Sequence, residues 1–190
     1  MNSSLVCVLA ALTFIFSGCA YHAGSGDRHI PGGYHAISVP IFKNKTPETG
    51  IEVYFTNSLI REIERSRVGR VADPENSQVT LEGTIDSVKY VGAAENPGTT
   101  DQTFIPNNTV LYTSYQIVVV ANLVLKRNSD KKVLWQAKFQ KQSSYQTPDI
   151  GIIGLTGANA LYNASAHYQN IELLAADMMS EAHDRLTENF

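Results

Sequence analysis

Cysteine is nearly absent from this 190-residue chain: there are two, Cys7 and Cys19. Both fall within the first 19 residues, so the rest of the chain holds neither a disulfide framework nor a cysteine-based zinc site. Histidine is sparse too, at His22, His29, His35, His167 and His183, with no His-x-x-x-His pair. There is no Gly-x-Ser-x-Gly elbow and no phosphate-cradling glycine loop. The usual sequence grounds for a metal, a cofactor or a catalytic apparatus are therefore missing, and the chain reads as a non-enzyme without cofactor. Charge is thin as well: 17% of residues are charged, the formal net charge is −3, and no block of like sign occurs. That balance does not suit nucleic acid, whose phosphates call for a basic patch. Apolar residues are plentiful at 43%, enough for one small domain around a single core.

Leu5–Phe16 is apolar throughout except for Thr13. A dozen residues fall short of the ~20 that a membrane-spanning helix needs, but they suit the apolar region of a secretory signal. Met1-Asn2-Ser3-Ser4 ahead of it carries no Lys or Arg. Either the α-amino group supplies the positive charge or translation starts elsewhere. The run ends in Phe16-Ser17-Gly18-Cys19, which resembles a bacterial lipobox, with Phe16 where Leu is usual. By that resemblance Cys19 is acylated and becomes the mature N-terminus. Several acyl chains on one cysteine make a stable anchor where a single chain is marginal. Ala20 follows, not the Asp that would suggest retention in the inner membrane by resemblance to the lipoprotein sorting signal. The expectation is a signal peptide at 1–18, an acylated N-terminus and flexible Gly/Ser tether at 19–33, and one domain at 34–190. The domain would be lipid-anchored at the periplasmic face of the outer membrane.

Within the domain, Ile37, Val39 and Ile41 alternate with Ala36, Ser38 and Pro40, predicting a strand at an edge or ending near Pro40. Thr46-Pro47-Glu48 has the cap, first-turn proline and acidic residue of a helix start. Ile51, Phe55, Leu59 and Ile63 continue it as an apolar stripe, and Gly69 is a plausible stop. Val79, Leu81, Gly83, Ile85 and Ser87 mark one face of a second strand, and 92–108 reads as a long polar loop. Tyr115, Ile117, Val119, Ala121, Leu123 and Leu125 mark a third strand, which turns at Asn128-Ser129-Asp130 into a fourth bearing Val133, Trp135, Ala137 and Phe139. Ile171, Leu174, Ala175, Met178, Ala182 and Leu186 predict a last helix over about 165–186, with Asp177, Glu181 and His183 on its solvated face. The order β-α-β-β-β-α, with polar alternate faces, predicts an α+β two-layer sandwich. Its four-stranded mixed sheet would carry two helices packed on one face.

Two surfaces stand out. Lys126, Arg127, Lys131 and Lys132 cluster at the turn. They form either a solvated, edge-protecting turn or a cradle for anionic lipid phosphates. Residues 148–166 scatter glycines among Ile150, Ile152, Ile153 and Leu155, too glycine-rich for a good helix and too apolar for an ordinary loop. They would bury themselves on their own domain or against a partner.

Cys19-Ala20-Tyr21-His22 resembles the start of the lipopolysaccharide (LPS)-assembly lipoproteins, the LptE family. So does Ile37-Ser38-Val39-Pro40-Ile41-Phe42-Lys43-Asn44-Lys45-Thr46, the most specific piece. Tyr115–Val120 is similar to that family's central strand and Val133-Leu134-Trp135 to the next. The resemblance spans nearly the whole mature chain. It implies a lipoprotein that plugs and supports the large outer-membrane β-barrel LPS-assembly protein in a one-to-one complex, binds LPS, and uses no cofactor. In one respect the chain departs from the family. Basic residues linked there to LPS binding, before the central strand and before the final helix, have no counterpart here: Asn107-Asn108-Thr109 and residues 143–170 hold no Lys or Arg. The hairpin cluster then becomes the best-placed basic group, and Ile150, Ile152, Ile153 and Leu155 the expected barrel contact. The alternatives are a lipoprotein that oligomerises into a pore, disfavoured because no second hairpin of long amphipathic strands is evident, and a structural outer-membrane lipoprotein that handles no LPS.

The anchor is open to direct test. Mass spectrometry of the mature protein should find Cys19 at the N-terminus carrying acyl chains, and Cys19→Ala should leave an unlipidated product with a retained or miscleaved leader. An unmodified Cys19 in the wild type would remove the basis of the expected localisation.

Overall fold

The structure, a computed structural model, describes residues 28–97, 110–146 and 160–188. In chain order its elements are β1 (Ala36–Ser38), β2 (Lys43–Asn44), α1 (Ile51–Ser66), β3 (Arg70–Val71), a 3-10 turn at Pro74–Asn76, β4 (Val79–Pro97), β5 (Val110–Arg127), β6 (Val133–Gln146) and α2 (Ala160–Thr187). The α+β expectation holds, with two helices against one mixed sheet among the described residues. The sheet has six strands rather than four, in the order β3-β1-β4-β5-β6, with β2 also on β4. β4, β5 and β6 run antiparallel, while β1, β2 and β3 join in parallel. The two extra strands, β2 and β3, are two residues long, too short for any alternation to announce them.

One apolar layer holds the domain. Ile117, Val119, Ala121, Leu123 and Leu125 on β5 are each at most 1% exposed. They meet Ile51, Phe55, Leu59 and Ile63 of α1 and Ile171, Leu174, Ala175, Met178, Ala182 and Leu186 of α2 in one cluster. A buried side chain of this size is worth ~1.5–3 kcal/mol. A surface ion pair such as Arg65–Glu62 or Lys45–Asp86 contributes ~0–1, so the layer decides stability.

Several boundaries move. β4 runs into the stretch 92–108 expected as a loop, staying paired to β5 from Val79↔Arg127 as far as Pro97↔Val110; residues 98–109 lie outside the described ones. Backbone pairing carries the strand beyond the point where apolar alternation ends. A register shift between Ile85 and Ser87 turns the strand over, as a bulge does. Val88 then packs on the core, and Ser87, expected on the apolar face, is half-buried. The first strand stops at Ser38, so Pro40 lies past its end and Ile41 is 62% exposed. The helix begins at Ile51, not at Pro47, and its cap is Gly50 in the left-handed region. At its other end Arg67, not Gly69, takes the left-handed conformation. Gly69 instead lies against the core: a Cβ there would stand 2.6 Å from Ile30 Cδ1, so the Ile30 side chain would have to shift. α2 starts at Ala160, earlier than expected. Residues 30–34, at the end of the expected tether, form a turn bridging Ile30 to Tyr34, and Ile30 is buried in the core.

The run Val39–Thr46 acquires a physical meaning. Phe42 is buried with its ring over Gly83, where an added Cβ would sit 2.3–2.4 Å from ring carbons. Its backbone N–H donates to Thr56 Oγ1 at 3.0 Å. Asn44 Oδ1 accepts from the Thr46 N–H and hydroxyl at 2.9 and 2.8 Å, while Asn44 Nδ2 donates to Glu48 O and to Glu52 Oε2. Glu52 also accepts from the Gly50 N–H. Hydrogen bonds from its own backbone N–H, from Asn44 and from Gly50 hold its carboxyl below the usual range. The motif thus fastens the sheet to the start of α1.

His183 does not lie on a solvated face. It is 2% exposed at the seam of α1 and α2, with Nε2 2.7 Å from Ser66 Oγ, whereas Asp177 and Glu181 lie outward on Lys141. Burial lowers the imidazole pKa from its ordinary 6.5, against the opposing pull of Asp184. The unfolded chain therefore takes up the proton first as pH falls. The contribution of His183 to stability is complete above about pH 6.5 and declines below it, toward the depressed folded-state value. The thermal stability of the wild type should weaken between pH 7 and 5. His183→Gln, which keeps a hydrogen-bonding group for Ser66 but does not titrate, should weaken less. Equal slopes would assign the acid sensitivity to other groups.

Candidate functional site

The expected functional residues divide between the described part of the chain and the rest. Cys19 and the apolar set Ile150, Ile152, Ile153 and Leu155 lie outside the described residues. Lys126, Arg127, Lys131 and Lys132 are described: Lys126 and Arg127 close β5, and Lys131 and Lys132 lie in the turn to β6. They are not equivalent. Lys126 Nζ pairs with Glu82 at 2.9 Å across the β4–β5 ladder. Arg127 Nη1 pairs with Asp130 at 3.1 Å, and its Nε donates to the Tyr34 hydroxyl at 2.8 Å. These contacts, Tyr34 first, raise the guanidinium pKa. In turn the Lys132 N–H and Arg127 lower that of Asp130. Half of the cluster is thus partly neutralised, leaving Lys131, which adopts a positive φ of 57°, and Lys132 as exposed cations. Lys131 lines a shallow cleft with Thr80, Glu82, Lys126 and Asn128.

The chain enters the domain at this same end. Arg28 Nη1 pairs with Asp184 Oδ1 at 3.0 Å near the end of α2, and Asp184 also lies 3.5 Å from His183 Nδ1. From Tyr34 the contact runs to Arg127. The opposite end of β6, at Gln146, is thirteen residues from Val133, roughly 40 Å at ~3.3 Å per residue. The basic turn and the strand end leading toward residues 147–159 therefore lie at opposite ends of the sheet.

That far end holds a cluster that sequence reasoning missed. Tyr115 and Tyr145 are cross-strand partners with rings stacked at 5.9 Å. Tyr145 meets His167 edge-on at 6.2 Å, Tyr90 lies 5.3 Å from His167, and Tyr168 meets it edge-on at 5.2 Å. His167 Nε2 is 3.4 Å from both the Tyr90 hydroxyl and Glu48 Oε2. Partial burial and then Glu48 push the Tyr90 hydroxyl pKa up, and burial does the same to Tyr145. The members come from the β2–α1 connection, β4, β5, β6 and α2. No spacing in the sequence joins them; only the pairing register could have revealed them.

Among the described residues, no three His, Cys, Asp or Glu groups gather as a metal site, and no helix is long and apolar enough to cross a membrane. The site defines a class: an α+β domain with helices on one sheet face, a basic turn at one end and an aromatic cluster at the other. The particular family follows from the family model described as LptE, lipopolysaccharide-assembly, which matches residues 34–189. The chain belongs to the lipopolysaccharide-assembly family. No curated protein matches it by sequence. Among solved structures it is similar to a Caulobacter crescentus protein described as a lipoprotein, with TM-score 0.51, 10% identity, and coverage of 80% of this chain and 87% of that one. It is also similar to the PelC dodecamer protein of Paraburkholderia phytofirmans, with TM-score 0.48, 13% identity, and coverage of 82% and 90%. A third likeness is a minor lipoprotein from Acinetobacter baumannii, with TM-score 0.47, 7% identity, and coverage of 81% and 93%. The first of these is a likeness of fold alone.

Proposed function

We propose that this protein is an outer-membrane lipoprotein, acylated at Cys19, that plugs and supports the β-barrel translocon delivering LPS to the cell surface. The observation carrying this reading is the match of the lipopolysaccharide-assembly family over residues 34–189, all but the last residue of the expected domain. The family is a non-catalytic one, and on this reading the protein carries LPS without altering it. The partner is a large barrel in a one-to-one complex, touched by Ile150, Ile152, Ile153 and Leu155. Apolar side chains of this kind are costly to leave in water at ~25 cal/mol per Å², and Gly151, Gly154 and Gly157 permit close backbone approach to another wall. LPS phosphates are met at the basic turn, chiefly by Lys131 and Lys132, the two exposed cations.

A pore is disfavoured by what the strands face, not by their length. The β4–β5 hairpin is long, with strands of 19 and 18 residues, so strand length does not disfavour a pore. The inward face of the described part of these strands, including Leu81, Ile85, Ile117 and Leu123, is instead packed on the helices, and the outward face of β5 interrupts Val118, Val120 and Val124 with Gln116 and Asn122, unlike the continuous apolar band of a barrel wall.

Two measurements test the proposal. The full-length chain should co-purify with a single large barrel in equal amounts, and Ile152→Asp with Leu155→Asp should abolish this while leaving the melting temperature nearly intact. A homo-oligomeric ring, or no partner, would refute the plug; a large fall in melting temperature would assign the segment to the core. Lys131→Ser with Lys132→Ser should weaken LPS binding at unchanged stability, since such surface changes cost within ~0.5 kcal/mol each. Unchanged binding would remove the turn as the lipid contact.

A further inference from the structure

The aromatic cluster at the far end of the sheet is not explained by packing alone. Tyr90 and Tyr168 keep 39% and 44% of their surface exposed, although their neighbour His167 is largely covered. The one charged group in the cluster is the Glu48 carboxylate, itself partly accessible. No Lys or Arg pairs with any of Glu48, Tyr90, Tyr145, His167 or Tyr168 in the ion pairs and ring contacts of the described residues. An ionised carboxylate only accepts hydrogen bonds and repels anions, so this end of the molecule is unsuited to phosphate. An acyl chain would cover Glu48 and the Tyr90 hydroxyl without supplying hydrogen bonds, which is costly. The surface favours a ligand with apolar faces to lie on the tyrosine rings and hydroxyl donors for the partly accessible Glu48 carboxylate. Tyrosine suits such contacts because it presents a rigid, amphipathic surface at low entropic cost.

A sugar ring has this combination of C–H faces and hydroxyl rims. We propose that the Glu48–Tyr90–His167–Tyr168 cluster binds the saccharide part of LPS. Tyr168 and Tyr90 supply the stacking surface, and Glu48 accepts from ring hydroxyls. This rests on the reading of the chain as an LPS-handling protein, and it separates two contacts by roughly 40 Å of β6: phosphate at the basic turn, sugar at the aromatic end.

The test uses the full-length chain in detergent and titration calorimetry with oligosaccharide released from LPS and stripped of acyl chains and phosphate. Intact LPS and lipid A serve as separate probes. The wild type should bind the oligosaccharide. Tyr168→Ala and Glu48→Gln should each weaken that binding about tenfold, with lipid A binding unchanged. Tyr90→Phe, which keeps the ring, should retain part of the affinity and guards against a variant that merely misfolds. Binding of intact LPS without any binding of the oligosaccharide would overturn the inference and leave the family reading standing. Failure of every probe would overturn both. Loss of barrel co-purification in Tyr168→Ala at unchanged oligosaccharide affinity would make the cluster a protein contact, and the sugar site would fall.

Discussion

The rest of the structure depends on the burial of one sheet face. β5 supplies five consecutive inward side chains that are almost wholly covered, and both helices exist in their observed positions because that face must be taken out of water. A helix of 16 residues such as α1 is marginal alone; laid over Leu81, Ile85 and the β5 row it shares their burial. The consequence is an asymmetric domain. One side of the sheet is committed to the core and the other keeps Gln116, Asn122, Gln136, Lys138 and Gln140. Function is thereby displaced to the ends of the strands and to what joins them.

The family motif illustrates how a recognisable sequence need not be a binding site. Phe42 seals the layer at Gly83, Asn44 organises the turn, and Thr56 receives the Phe42 N–H. Each contact removes an exposed backbone donor or fills a space that only glycine leaves. Such a junction tolerates little substitution, which makes it a good mark of membership while leaving the ligand chemistry to other residues.

Electrostatics is distributed in a similar way. The hairpin's four basic residues look uniform along the chain, yet Glu82, Asp130 and Tyr34 engage two of them. Lys126–Glu82 bridges β4 and β5, and Arg127 ties the entering chain to the turn through Tyr34. Lys131 and Lys132 retain the free charge that an anionic ligand could use. His183 presents the reverse case: a titratable residue on a helix that ought to face water, drawn into the seam because the last turn of α2 packs against the end of α1.

The sequence by itself determined the leader-and-domain expectation, the α+β class, the apolar faces of α1, β5 and α2, the β5–β6 turn, and the family resemblance. Each depends on local periodicity or on neighbouring residues. Only the tertiary structure decided what depends on distant partners. The β4–β5 ladder runs to Pro97 because backbone groups find partners even where alternation fails. β2 and β3 are strands only because β4 and β1 offer an edge. Gly69 packs against Ile30 and is not the helix stop. The aromatic cluster forms because strand register sets Tyr115 beside Tyr145, and helix packing brings His167 to Glu48, 119 positions away. No pattern read along one dimension contains a contact that exists only once the chain has closed on itself.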